Sequence, residues 1–263
     1  MIAIHRVKAF MLRHVYEIFE TFDRKFDIFF WPTIDLLIFG LLSVYIQRLN
    51  VQANAAAAII GGLILWSLVY NIQRDISVTL LEDAWSRNLF NLFSTPLKVS
   101  EILTGSLTLS LLKAILTIAF TTTLAWQLFD FRLWSLGPIL AYYILNLFIF
   151  GWAFGCFTAS LIFRFGQKVQ IFAWSLVAAI YPVSGVFYPL SILPNWLAQI
   201  ARVLPVSYIF EGLRNLIVHG QTADLWDLAL ILILNLIYLT VGILLFITGF
   251  KSAKSRGWFI HPT

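Results

Sequence analysis

Few side chains in this 263-residue chain are equipped for chemistry, and their placement excludes more than it supports. The four histidines, His5, His14, His219 and His261, all fall outside the long apolar runs. A hydrolase working at membrane depth needs a nucleophile beside a base, or a pair of carboxylates. The charge-poor runs offer one carboxylate, Asp35, and one ammonium, Lys113. No grouping of His, Cys and carboxylates has metal-ligand spacing. The single cysteine, Cys156, sits in an apolar run, so it forms no intrachain disulfide and reads as a small buried apolar residue. The phosphate-cradling pattern of Gly, four residues and Gly-Lys-Ser/Thr is missing, and Gly61-Gly62 lies in an uncharged stretch. The chain is therefore expected to be no enzyme and to bind no metal, nucleotide or other cofactor itself.

Asp35 and Lys113 still need an account, because an unpaired charge in hydrocarbon is costly. Asp35 lies eleven residues beyond Arg24, and Lys113 twelve beyond Glu101. At 1.5 Å per residue both would sit about 16–18 Å along their helices from the same membrane face. They are expected to face each other as an ion pair, within one chain or between two, with a role in helix packing.

The elements that hold these residues follow from composition. Apolar residues make up 60% of the chain, charged residues only 12%, and the mean hydropathy is +0.86. Soluble domains are about 45–50% apolar and about 25% charged, so a water-soluble enzyme, a disordered chain and a nucleic-acid-binding module are excluded. The net charge of +5 does not form a basic patch of the nucleic-acid type. Runs 49–73, 133–163, 169–201 and 228–250 carry no charge, and 28–47 and 102–129 carry one each. About 20 apolar residues cross a bilayer as a helix, so six spans are predicted, at 26–46, 56–76, 102–126, 138–163, 169–188 and 226–250.

The first twenty residues lack the apolar core of a signal peptide. Ile4, Val7, Met11, Val15 and Ile18 recur at helical spacing, opposite Arg6, Arg13, Glu17 and Glu20, which predicts an interfacial amphipathic helix over 1–22. With the amino terminus inside, thirteen basic residues fall in cytoplasmic segments and four, Arg48, Arg132, Arg202 and Arg214, in outer ones. That bias predicts an inner or plasma membrane protein with both termini cytoplasmic, and it puts Trp126, Trp134 and Trp226 at the outer boundary.

Four of the eight prolines, Pro182, Pro189, Pro194 and Pro205, fall within 24 residues, together with Gly185. Proline removes a backbone donor, so no straight helix runs through this stretch. It stays apolar nonetheless, and irregular backbone at membrane depth survives only when buried in protein or lining a cavity. Short helices that dip into the outer leaflet and cap a pathway are expected over 189–218.

This segment resembles the signature of ABC-2 type exporter permeases, through Ser184-Gly185-Val186-Phe187-Tyr188-Pro189, Leu193-Pro194-Asn195-Trp196-Leu197, Leu204-Pro205-Val206-Ser207-Tyr208 and Glu211-Gly212-Leu213-Arg214. A second stretch, Leu81-Glu82-Asp83-Ala84-Trp85-Ser86-Arg87 through Pro96-Leu97, followed by Glu101 and Gly105, is similar to that family's coupling region. Typical members carry Gly-Thr where this chain has Arg87-Asn88.

The resemblance implies an all-α polytopic membrane protein, with six transmembrane helices, the amino-terminal interfacial helix and re-entrant outer helices. It further implies a coupling helix over 83–97 that docks on a separate ABC ATPase. There Trp85, Leu89, Leu92 and Phe93 seat in a groove, Glu82, Asp83 and Arg87 orient the helix, and Pro96 ends it. The outer gate falls on Tyr181, Pro182, Gly185, Phe187, Tyr188, Pro189, Pro194, Glu211 and Arg214. Two ATPase copies holding ATP and Mg, and a second permease copy or a related permease, complete the expected assembly. Phe29-Phe30-Trp31-Pro32-Thr33-Ile34-Asp35 replaces the first-span pattern of polysaccharide exporters, which favours a drug-like or lipid-like cargo. Polysaccharide export remains the alternative within the family, and ion-coupled secondary transport the alternative outside it.

Overall fold

The charge-poor runs become long helices. The computed structural model describes residues 3–49, 53–85, 97–169 and 171–255, and it contains no strand among the described residues. The helices are α1 (Ile4–Glu20), α2 (Phe22–Arg48), α3 (Ala53–Trp85), α4 (Val99–Phe129), α5 (Ile139–Phe165), α6 (Phe172–Ile180), α7 (Asn195–Val203), α8 (Pro205–His219) and α9 (Leu225–Ser255). Among the described residues, five stretches are long and apolar enough to cross a membrane: Ile28–Arg48, Asn54–Thr79, Val99–Phe129, Ile139–Phe165 and Leu225–Ser255. These match five of the six predicted spans to within a few residues.

The predicted span at 169–188 differs. Its helical part is the apolar stretch Phe172–Val183, twelve residues or about 18 Å, short of the roughly 30 Å of hydrocarbon. Two local causes shorten it. Gly166, at φ 72°, ends α5 and opens a 3-10 turn over Gly166–Val169, and Pro182 lies in a second such turn, Tyr181–Val183.

Helices α3 and α5 form the centre, with α9 packed on α5 and α2 and α4 packed on α3. Their approach depends on small residues, as expected where lipid supplies no hydrophobic drive between helices. Gly151 and Gly155 of α5 face Ile72 and Ile76 of α3; a Cβ on Gly155 would stand 2.7 Å from the Ile76 Cδ1. Gly242 and Gly249 of α9, two turns apart, face Ala153 and Ser160 of α5, also two turns apart, and a Cβ on Gly242 would lie 2.6 Å from the Ala153 carbonyl oxygen.

Side-chain hydrogen bonds join the same helices. Asn235 Nδ2 donates to Asn146 Oδ1 at 3.0 Å, and Ser160 Oγ donates to the Leu245 carbonyl at 2.7 Å. Gln73 Nε2 reaches Thr158 Oγ1 at 3.1 Å and the Ala173 carbonyl at 3.2 Å, tying α3 to α5 and α6. Tyr143, Phe148 and Phe150 of α5 are buried in this core.

Candidate functional site

Chain direction defines two ends of the bundle. At the proximal end α1 sits beside the start of α4, and α3, α5 and α9 finish there; α7 and α8 lie at the distal end. Three places bring together residues that the sequence marked.

The distal cap is built on the irregular chain after α6. Gly185 takes φ 72°, a left-handed turn that a side chain would strain, and it exposes two successive carbonyls to α8. Arg214 Nη2 donates to the Gly185 carbonyl at 2.6 Å and to the Val186 carbonyl at 3.2 Å, while Nη1 meets Glu211 Oε2 at 3.1 Å. The same carboxylate oxygen accepts from the Leu190 amide at 3.3 Å. One guanidinium and one carboxylate thus hold both arms of the turn. Burial pulls the Arg214 pKa down and Glu211 pulls it back up; the group stays charged at neutral pH.

Tyr188 Oη donates to the Pro182 carbonyl at 2.5 Å, and Pro189 precedes the 3-10 turn Leu190–Ile192. Pro194 caps α7 and is exposed. The cap also uses residues that the sequence reading did not single out for it. Ser207 Oγ donates to the Val183 carbonyl at 3.0 Å, and Gly62 of α3 lets the Val186 carbonyl come within 2.7 Å of where its Cβ would be. The second of these accounts for Gly62 of the Gly61-Gly62 pair, while Gly61 faces Ile217 and Phe131.

Rings continue from the cap into the bundle. Phe187 stacks on Phe39 at 4.6 Å and 12°, and meets Tyr181 edge-on at 5.0 Å. Tyr181 in turn lies 4.6 Å from Trp66. Below these rings a cleft of about 230 Å³ opens between α2, α3 and α6, lined by Trp31, Asp35, Phe39, Trp66, Tyr70, Arg74 and Tyr181 among others. The guanidinium of Arg74 lies over the Tyr70 ring at 5.6 Å.

The expected pairing of Asp35 with Lys113 is corrected within this chain. The Lys113 ammonium lies 3.3 Å from Asp75 Oδ1, joining α4 to α3. The reason is geometric: α3 runs on to Trp85, so Asp75 sits ten residues before its end, on a face that packs against α4. Asp35 lines the cleft instead.

At the proximal end, the fully buried Glu101 carboxylate holds the start of α1. Its Oε1 accepts from the Ala3 amide at 2.9 Å, its Oε2 from the Lys98 amide at 3.0 Å, and Arg6 Nη1 lies 3.8 Å away. Phe10 covers Gly105, and His14 is buried with its Nδ1 3.0 Å from the Phe10 carbonyl oxygen. The face of α1 that meets protein is therefore centred on Phe10 and His14. The predicted apolar stripe departs from this, with Val7, Met11, Val15 and Ile18 half-buried and Ile4 exposed.

Of the coupling residues, Glu82, Asp83 and Trp85 form the end of α3, while Arg87, Leu89, Leu92, Phe93 and Pro96 lie outside the described residues. Among the described residues, no group of three or more His, Cys, Asp and Glu is arranged to hold a metal ion.

A comparison with curated proteins finds none that matches. The family described as "ABC-2 family transporter protein" matches residues 36–250, most of the chain, including the cleft's Phe39 and Trp66, the distal cap and all but the start of the first span. By that match the chain belongs to the ABC-2 transporter family, as a multi-pass membrane permease that partners an ABC ATPase.

Proposed function

We propose that this permease serves an ATP-driven exporter that carries a drug-like or lipid-like molecule out of the cytoplasm. ATP and Mg would be held by two copies of the ATPase, and a second copy of the permease or a related one would complete the pathway. The membrane is the inner or plasma membrane with both termini cytoplasmic, a reading that rests on the thirteen-to-four distribution of basic residues. In that orientation the distal cap faces out.

The observation that carries this reading is the continuity between cap and cleft. A ring-lined cleft with one carboxylate and one guanidinium ends beneath a turn fixed by side chains of α8, not by a continuous helix. Apolar walls with a few placed polar groups suit an amphiphile. Rocking of α8 against α3 would loosen Phe187 and Tyr181 together, because the chain between them is held by Ser207 and Arg214.

Drive would enter at the proximal end. The residues from Glu82 to Pro96 dock on the ATPase in this reading, and their motion passes through Leu97 into α4. Glu101 ties that same point to α1, so the interfacial helix and the third span move as one.

Co-purification with an ABC ATPase tests the assignment. ATP turnover of the complex should fall severalfold with Trp85→Ala or Phe93→Asp. Equal turnover in both variants would remove the coupling role from this segment.

A further inference from the structure

We propose that Asp35 is the counter-charge for an organic cation bound in the cleft between α2, α3 and α6; the inference rests on the exporter reading and names the class of its cargo. Two carboxylates, Asp35 and Asp75, lie on the membrane-spanning parts of α2 and α3. They differ in one respect. Asp75 is satisfied, with the Lys113 ammonium at 3.3 Å. Asp35 has no ion pair or hydrogen bond among the described residues, lines the cleft and remains exposed in the single chain. A carboxylate in the centre of a membrane helix is costly, so such a group is retained where something compensates it. Lys113 cannot do so while Asp75 holds it.

The surroundings select the compensating partner. One turn distal of Asp35 on the same helix is Phe39, which stacks on Phe187; Tyr181 and Trp66 complete a wall of four rings. Tyr181 lines the same cleft as Asp35. Ring faces attract a cation and repel an anion, most strongly when water is excluded. Arg74, the cleft's cation, sits eight residues from Trp66, about 12 Å proximal along α3, over the Tyr70 ring. Positive charge in a ligand is therefore favoured at the distal end of the cleft, beside the rings and Asp35. A protonated or quaternary amine or a phosphonium carrying an apolar or aromatic body fits this polarity. A neutral lipid leaves Asp35 uncompensated, and an anion meets both the carboxylate and the ring faces.

The test uses the full chain in lipid nanodiscs and two probes of one shape and opposite charge, tetraphenylphosphonium and tetraphenylborate. Retention is measured against empty nanodiscs of the same lipid. The proposal expects saturable tetraphenylphosphonium binding that weakens at least tenfold in Asp35→Asn and stays within about threefold of the original in Asp35→Glu. Tetraphenylborate retention should not change in either variant. Binding by Asp35→Asn equal to that of the unaltered chain overturns the proposal, as does retention of the cation no greater than in empty nanodiscs. Unchanged melting of both variants separates loss of the site from loss of the fold. The ATPase is not needed for this measurement, so a failure of ATP-driven export would leave the binding result standing, and a failure of binding would leave export untouched.

Discussion

Removing the Arg214 guanidinium is expected to unfasten the distal cap at a cost that the structure allows to be worked out. Arg214 makes two hydrogen bonds to carbonyls of the turn, at 2.6 and 3.2 Å, and its side chain keeps only 14% of its exposure. A hydrogen bond from a charged donor contributes about 1.5–3 kcal/mol, and the longer of these two belongs at or below the low end. The ion pair with Glu211 adds less, about 0.5 kcal/mol, because the carboxylate is one-third exposed and partly screened. Arg214→Ala should therefore cost about 3 kcal/mol. For a chain of this size that corresponds to a fall of roughly 6–12 °C in melting temperature. Arg214→Lys should recover the charge but not the two-carbonyl fork, and should lie between. Melting of the detergent-purified protein, followed by tryptophan fluorescence, reads the effect. A double-mutant cycle with Glu211→Gln should show a coupling of about 0.5 kcal/mol. An Arg214→Ala protein that melts within 1 °C of the unaltered chain would refute the view that this guanidinium holds the turn.

Two further outcomes are expected. Glu101→Gln should release the start of α1, since the amide loses the charge that accepts from Ala3 and Lys98; hydrogen exchange over residues 4–20 should speed up while exchange in α5 stays slow. Asp75→Asn should destabilise the protein by stranding the Lys113 ammonium at membrane depth, and adding Lys113→Met should restore much of the loss, as read by the melting temperatures of the single and double variants.

The long helices were legible because crossing a bilayer requires an apolar run, and a run interrupted by charge is easy to see. Only the fifth span escaped, because apolar composition does not report how much of a run is helical. Gly166 and Pro182 cut it to twelve residues, and only the second of these stood out as a breaker. The cap was legible in residue types, with Glu211, Arg214 and Gly185 all marked, while the pairing of Arg214 with the Gly185 and Val186 carbonyls required coordinates. The partner of Lys113 was missed for a definite reason. The charge-free run of α3 stops at residue 73, which made Asp75 look like a residue at the membrane edge, whereas the helix continues for ten residues beyond it. Polar contacts such as Gln73 with Thr158, and the small-residue faces of α5 and α9, depend on which helix faces which, and that order is not written in any single span.

The central claim, that this chain is the membrane half of an ATP-driven exporter, is tested most directly by transport. The permease and its co-purified ATPase would be reconstituted into liposomes, with the ATPase facing the bath and a radiolabelled cationic amphiphile added outside. Uptake into the lumen should require ATP, Mg and both subunits together, and should stop when the ATPase is omitted. Uptake by the purified permease alone, driven by an imposed ion gradient without ATP, would contradict the account.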